Sequence, residues 1–184
     1  KEGAEAEILG CLIDNNLGNG IYSQSADTRI DISGTLVRDT DTEASTAWGQ
    51  GVATADGARM TVYRSVLEGN SGAGAIARMD TKDLTLMETT LRENKVDAGG
   101  GLGVGVYAGG DSNVTVENCL VERCHDSGIV SMYPGANLHV EGSVVRDNQV
   151  TDFGMYGDGI RVDYGGSASI FQTVVEGNRH SGVI

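Results

Sequence analysis

Asp158 and Asp163 stand five residues apart and together could hold a cation or share a proton. Arg161 lies between them, and Arg78 occupies a similar place earlier in the chain. His125, His139 and His180 are the imidazoles available for proton transfer or metal binding. Trp48, Phe153, Tyr156, Tyr22 and Tyr107 offer flat faces that can stack on sugar rings or pack against the protein. Cys11, Cys119 and Cys124 are an odd set of thiols, and Asn113-Val114-Thr115 matches a glycosylation sequon. Which of these side chains meet depends on the elements that carry them.

Those elements repeat. Asparagine or a substitute recurs at Asn16, Thr40, Asn70, Asn94, Cys124, Asn148 and Asn178, with gaps alternating between 24 and 30 residues. Each site closes a phrase such as R-M-T-V-Y-R-S-V-L-E-G-N or N-L-H-V-E-G-S-V-V-R-D-N. Within each repeat three short apolar segments follow one another. The first is Gly and a β-branched residue, read as Gly20-Ile21, Gly51-Val52, Ala75-Ile76, Gly105-Val106, Gly128-Ile129, Gly159-Ile160 and Gly182-Val183. The second alternates strictly, as in Met60-Thr61-Val62. The third is small-polar then aliphatic, as in Ser65-Val66-Leu67. Period-two runs broken by glycine and polar corners predict strands, and identical turns stacked in register predict a solenoid with three parallel sheets. The asparagines of successive turns then stack in a column, with Asn16, Asn70, Asn94, Asn148 and Asn178 as its structural members and Thr40 and Cys124 as its weakest points.

The G-[IV] and [ST]-[LV]-[VL]-x-x-N phrases resemble the right-handed parallel β-helix family, which includes pectate lyases, polygalacturonases, alginate epimerases and many bacterial surface proteins. The resemblance covers the whole chain and implies an all-β, right-handed parallel β-helix of about seven complete rungs. It points to acidic polysaccharides as the substrates of enzymes with this fold, with calcium as the one cation to consider. The accompanying motifs are missing. Asp158-Gly159-Ile160 echoes a polygalacturonase-like phrase, but the Asp-Asp, Gly-His-Gly and Arg-x-Lys phrases are absent. Lyase-like members use an Arg or Lys base beside clustered carboxylates, and neither Arg161 nor Arg78 has an obvious cluster in the sequence. The only proline, Pro134, sits in a turn, so the Asp-Pro-His phrase of epimerase-like members is absent too.

The alternating gaps make the true repeat a pair of rungs. Between each corner residue and the next glycine position lie 3, 10, 4, 10, 3, 10 and 3 residues. Longer loops at 41–50, 95–104 and 149–158 therefore leave one corner and form a ridge spaced about 9.6 Å. Insertions gathered on one face of a repeat protein often mark its binding surface, which makes Trp48, Phe153, Tyr156, Asp158 and Tyr107 the candidate ligand-binding residues. A charge column runs in phase with the ridge: Asp14, Arg38, Glu68, Arg92, Glu122, Arg146 and Glu176, each Arg set between two carboxylates. His125 and His180 fall two rungs apart, about 9.6 Å by backbone, too far to share a metal. Cys11 and Cys119 are four rungs apart, roughly 19 Å, and are expected as buried free thiols; pairing of Cys119 with Cys124 stays open.

The net charge of −13 excludes attraction to nucleic acid or anionic lipid by charge. No apolar run is long enough to span a membrane. Residues 1–184 read as a single β-helix domain, a segment of a longer chain whose neighbouring sequence or partner caps the open ends. The leading expectation is a non-catalytic extracellular or cell-surface scaffold, of bacterial type, that contacts polysaccharide through the ridge and needs no cofactor. The alternatives are the β-helix part of a polysaccharide lyase or glycoside hydrolase, and a structural spacer in a fibre or surface layer.

Overall fold

A computed structural model describes residues 3–42, 49–78, 80–97, 101–151, 154 and 156–184. Its strands form three parallel sheets. The alternating sheet contains Glu5–Leu9, Arg29–Ser33, Arg59–Tyr63, Asp83–Met87, Asn113–Glu117, Asn137–Glu141 and Ser167–Phe171. The short sheet contains Leu12–Asp14, Leu36–Arg38, Val66–Glu68, Thr90–Arg92, Leu120–Glu122, Val144–Arg146 and Val174–Glu176. The glycine sheet contains Asn19–Gln24, Gly49–Ala55, Gly72–Ala77, Val104–Ala108, Ile129–Met132 and Ile160–Asp163. No strand neighbours its own sequence neighbour in a sheet. Each pairs with the strand one turn before and one turn after, which is how a strand too short to be stable alone gains partners on both edges.

Alternation sends one side of every strand inward. Met60 and Val62, Leu84 and Leu86, and Val114 and Val116 fill the core from the alternating sheet. Leu67, Leu91, Val121 and Val145 enter from the short sheet, and Val52, Val106, Ile129 and Ile160 from the glycine sheet. The rung leaves the alternating sheet through Gly10, Gly34, Arg64, Glu88, Asn118, Gly142 or Gln172. It leaves the short sheet through Asn15, Asp39, Gly69, Glu93, Arg123, Asp147 or Gly177. All fourteen have φ between 45° and 66°. A single left-handed residue thus makes each sharp corner, and stacking holds it there even where the residue is not glycine.

The asparagine column fills the second of these corners. Asn94 Oδ1 accepts from Asn70 N at 3.2 Å and from Asn70 Nδ2 at 3.3 Å, and Asn178 Oδ1 accepts from Asn148 N at 3.2 Å and Nδ2 at 2.7 Å. At the interruptions the backbone part of the ladder survives: Thr40 N donates to Asn70 Oδ1 at 3.1 Å and Cys124 N to Asn148 Oδ1 at 3.0 Å. The glycine of each rung faces the column. A Cβ on Gly128 would lie 2.7 Å from Asn148 Nδ2 and 2.5 Å from Val145 Cγ1.

Several expectations change in detail. Val52 and Val106 both pair with Ala75, so the third rung's counterpart of Gly-Val is Gly74-Ala75, not Ala75-Ile76. That shift removes the odd spacing of four and turns Ile76 outward beside Tyr107. In the charge column each Arg is bonded to one carboxylate of the column rather than shared by two, and Arg38 and Arg146 also reach the adjacent Asp39 and Asp147 at 3.8 Å. Arg38 binds Asp14, Arg92 binds Glu68 and Arg146 binds Glu122, at 3.1, 2.6 and 2.9 Å, always across the 24-residue step. Pairing of rungs is therefore written into the surface as well as into the loops. All three cysteines are free; Cys119 and Cys124 are buried, but Cys11 is exposed because nothing among the described residues covers the first rung's outer edge.

Candidate functional site: the outer face of the glycine sheet

The outward residues of the glycine sheet run in register as Tyr22, Ala53, Ile76, Tyr107, Val130 and Arg161. The middle of this face is closed. Ala53, Ala73, Ile76, Val104 and Val130 form a second buried apolar cluster, with Leu102, Tyr107 and Met132 packed against it. Leu102, near the end of the loop 95–104, thus packs onto the sheet. Burial drives the Tyr107 hydroxyl up to about 12, helped by Tyr133 and opposed by Arg161. At the N-terminal end Arg78 Nη2 donates to Gln50 Oε1 at 2.9 Å, and burial lowers the Arg78 pKa.

The C-terminal end collects charge. Asp126 and Asp158 are each 2% exposed and Arg161 is 6% exposed. Arg161 Nη1 lies 3.6 Å from Asp126 Oδ1, and its guanidinium stands 4.1 Å over the Tyr156 ring. Arg161 Nε and Nη1 have no hydrogen-bond partner among the described residues. Burial raises the Asp126 pKa; Arg161 and a hydrogen bond from Ser127 oppose that rise, and Asp158 adds to it. Asp158 Oδ1 accepts from Ser181 N at 3.1 Å and lies 2.7 Å from His180 Nδ1. A buried carboxylate fixing one nitrogen of an exposed imidazole leaves the other free to exchange a proton.

Around the next corner, Met132 and Asp163 are paired across two rungs, and the residues that follow them, Tyr133 and Tyr164, stack with ring centroids 5.9 Å apart. They are 48% and 68% exposed. The turns around them carry Gly110, Gly135, Gly165 and Gly166; a Cβ on Gly110 would lie 3.5 Å from Tyr133 Cβ.

Of the predicted ligand-binding residues, Trp48 and Phe153 lie outside the described residues. Tyr156 is 42% exposed and sits over Arg161. Tyr107 is half-buried and Asp158 is buried, so neither presents the open face that Tyr156 does. Asp158 meets His180 rather than Asp163, whose Oδ1 accepts from Tyr164 N at 2.9 Å. The sequence reading left Arg161 without carboxylates; stacking supplies Asp126 from a rung below, 35 positions earlier in the chain. Asp126, Tyr133 and Tyr164 were missed. The signal for the tyrosines was there, since both directly follow the end of a glycine-sheet strand. Of the other imidazoles, His139 pairs with Glu141 at 3.2 Å and His125 is exposed. No group of three metal-ligating side chains occurs among the described residues.

Residues 82–184 match the family model described as right handed beta helix region, more than half of the chain. The chain belongs to that family. No curated protein matches this β-helix. Among solved structures it is similar to the tailspike protein gp49 from Pseudomonas phage LKA1, at 11% identity and a TM-score of 0.33. The match covers 94% of this chain and 49% of that one, so the β-helix spans about half the tailspike's length. A likeness this loose carries no argument about function. Among the described residues no helix is long and apolar enough to cross a membrane.

Proposed function

We propose that this β-helix is a non-catalytic, carbohydrate-binding scaffold of an extracellular or cell-surface protein. The observation that supports this most is the exposed Tyr133–Tyr164 pair, two aromatic rings delivered side by side by successive rungs. Exposed aromatic faces on a rigid parallel scaffold suit the apolar faces of sugar rings, and rigidity lowers the entropy cost of binding. Tyr156, exposed and set against Arg161, offers a further aromatic face. Screening the chain on an array of polysaccharides and oligosaccharides tests this reading. The expected result is retention of at least one glycan, weakened about tenfold by Tyr164→Ala and kept by Tyr164→Phe. Retention that ignores both substitutions overturns it.

A second reading, a polysaccharide-cleaving enzyme, has one observation in its favour. Asp158 is buried and orients the exposed His180 through Nδ1 at 2.7 Å, the arrangement of a general base. This reading predicts slow turnover of some polymer that His180→Ala abolishes and that His180→Gln does not restore. Turnover unchanged in both variants, or none on any polymer, removes it.

A further inference from the structure

The aromatic corner leads directly onto the alternating sheet, and the outer face of that sheet changes character along the solenoid. Its first outward column reads Glu5, Arg29, Arg59, Asp83, then Asn113, Asn137, Ser167. Its next reads Glu7, Asp31, Thr61, Thr85, then Thr115, His139, Ser169. The early rungs thus carry ion pairs, Arg29 with Asp31 at 2.8 Å and Arg59 with Asp83 at 3.1 Å. The late rungs carry amides and hydroxyls. Ser167 Oγ donates to Asn137 Oδ1 at 2.9 Å, and Asn137 Nδ2 donates to Asn113 Oδ1 at 3.4 Å. These side chains line a shallow groove of about 230 Å³ together with Thr115, His139 and Ser169.

The tyrosines appear at the same point in the solenoid. The corner position that holds Tyr133 and Tyr164 in the late rungs is Ser25 and Asp56 in the first two. Aromatic corner and uncharged groove therefore coincide on the same rungs and share one edge, since Asn137 and Ser167 begin the strands that follow Tyr133 and Tyr164. The charges at the margins are negative. Asp163 lies before the corner, and Asp111 Oδ1 packs against Gly135 within it. Glu117 and Glu141 end the strands that carry the groove, one outward position past Thr115 and His139, and the one imidazole in its lining, His139, is already engaged by Glu141. Lys82 lines a separate notch with Arg29 and Arg59 at the charged end.

We infer that the Tyr133–Tyr164 corner and the Asn113–Asn137–Ser167 groove form one continuous site for a neutral, hydroxyl-rich polysaccharide. The inference rests on the carbohydrate-binding reading and narrows it. A neutral sugar places an apolar ring face on the tyrosines and exchanges hydroxyl hydrogen bonds with amides and hydroxyls that both donate and accept. A polyuronate would bring carboxylates toward Asp111, Asp163, Glu117 and Glu141 with no Lys or Arg among the residues that line the groove to receive them, a like-charge contact that specific sites avoid. Buried charge at Arg161 does not alter this, because Asp126 stands 3.6 Å from it and Tyr156 covers it.

Affinity electrophoresis of the chain through gels containing a neutral β-glucan, a neutral galactomannan, polygalacturonate or alginate tests the inference, run at low and at moderate salt. Retardation by a neutral polymer is expected, unchanged by salt, with uronate gels giving none. Tyr133→Ala with Tyr164→Ala, and separately Ser169→Glu, should each weaken retardation about tenfold or more, while a Glu7→Gln change at the charged end leaves it intact. Thermal melts of each variant confirm that it is folded. Retardation by a uronate polymer through the same tyrosines, relieved by salt, overturns the neutral assignment and leaves the carbohydrate reading standing. Retardation by none of the polymers, with an empty glycan array, ends both. Neutral retardation that survives Ser169→Glu but not the tyrosine changes overturns the groove.

Discussion

The first four rungs and the last three share one interior and differ in exterior. Inside, both halves repeat the same inward aliphatics, the same corner conformation and the same asparagine column. Outside, the early half carries ion pairs along the alternating sheet and a Gln50–Arg78 hydrogen bond on the glycine sheet. The late half carries an uncharged groove, a tyrosine corner and a buried Asp126–Arg161 pair. In a solenoid every rung must satisfy the same neighbours, so inward and corner positions are constrained at every turn, and outward positions are free to specialise. Function is therefore sought where the repeat is broken on the outside, and stability where it is kept on the inside.

The largest effects should fall on the shared interior and be equal in the two halves. A Cβ on Gly51 would lie 2.6 Å from Gly74 O and 2.9 Å from Asn70 Nδ2; on Gly128 it would lie 2.7 Å from Gly159 O and 2.7 Å from Asn148 Nδ2. Both contacts involve backbone or a bonded amide, so neither can yield cheaply. Gly51→Ala and Gly128→Ala are each expected to cost about 3 kcal/mol of unfolding free energy, read by denaturant melts. A tolerated substitution in one half alone would break the equality of the interiors. Repairing the column should have the opposite sign and a smaller size. Among the described residues Asn94 Nδ2 reaches only Cys124 Sγ, at 3.8 Å, and the Thr40 hydroxyl is buried without a partner. Cys124→Asn and Thr40→Asn, one in each half, should each stabilise by about 1 kcal/mol, because they add an amide acceptor to a ladder already built to receive it.

How far the sequence reveals each half follows the same division. The three sheets, the two-rung beat and the column at Asn70, Asn94, Asn148 and Asn178 were legible because repetition states each of them several times. Even the one slip, Ala75 for Gly74, came where the third rung lacks the β-branched residue that marks the others. The site was less legible because it depends on contacts between rungs that occur once. Asp126 and Arg161 are far apart in sequence and touch only through stacking. Tyr156 was legible as a loop aromatic, but its place over Arg161 was not. The groove was visible only as a loss of charge along two columns, and a column cannot be read until the register of all seven strands is known.

The smallest predicted effect is also the one that separates the two ends of the glycine sheet most sharply. Asp126 is buried, and burial raises its folded pKa above the ordinary value of 3.8. A carboxyl whose folded pKa is raised binds its proton more tightly in the folded state, so its contribution to stability is fully present below about pH 3.8 and is lost as pH rises through the folded pKa. This is the reverse of an ordinary salt-bridged aspartate, and it holds even with Arg161 nearby, because burial is the larger cause and Asp158 reinforces it. Asp126→Asn removes the titration. Whatever its offset from the parent, the variant should gain stability relative to it as pH rises from 3 to 7, measured as a difference in Tm at each pH. Gln50→Ala at the opposite end removes a group that does not titrate, so its difference from the parent should stay flat over the same range. A flat Asp126→Asn difference would mean that Arg161 holds the carboxylate at its ordinary pKa, and a falling one that the pair is a net stabilising salt bridge. The flat result would erase the electrostatic distinction between the two ends, whereas the falling one would keep it with its sign reversed.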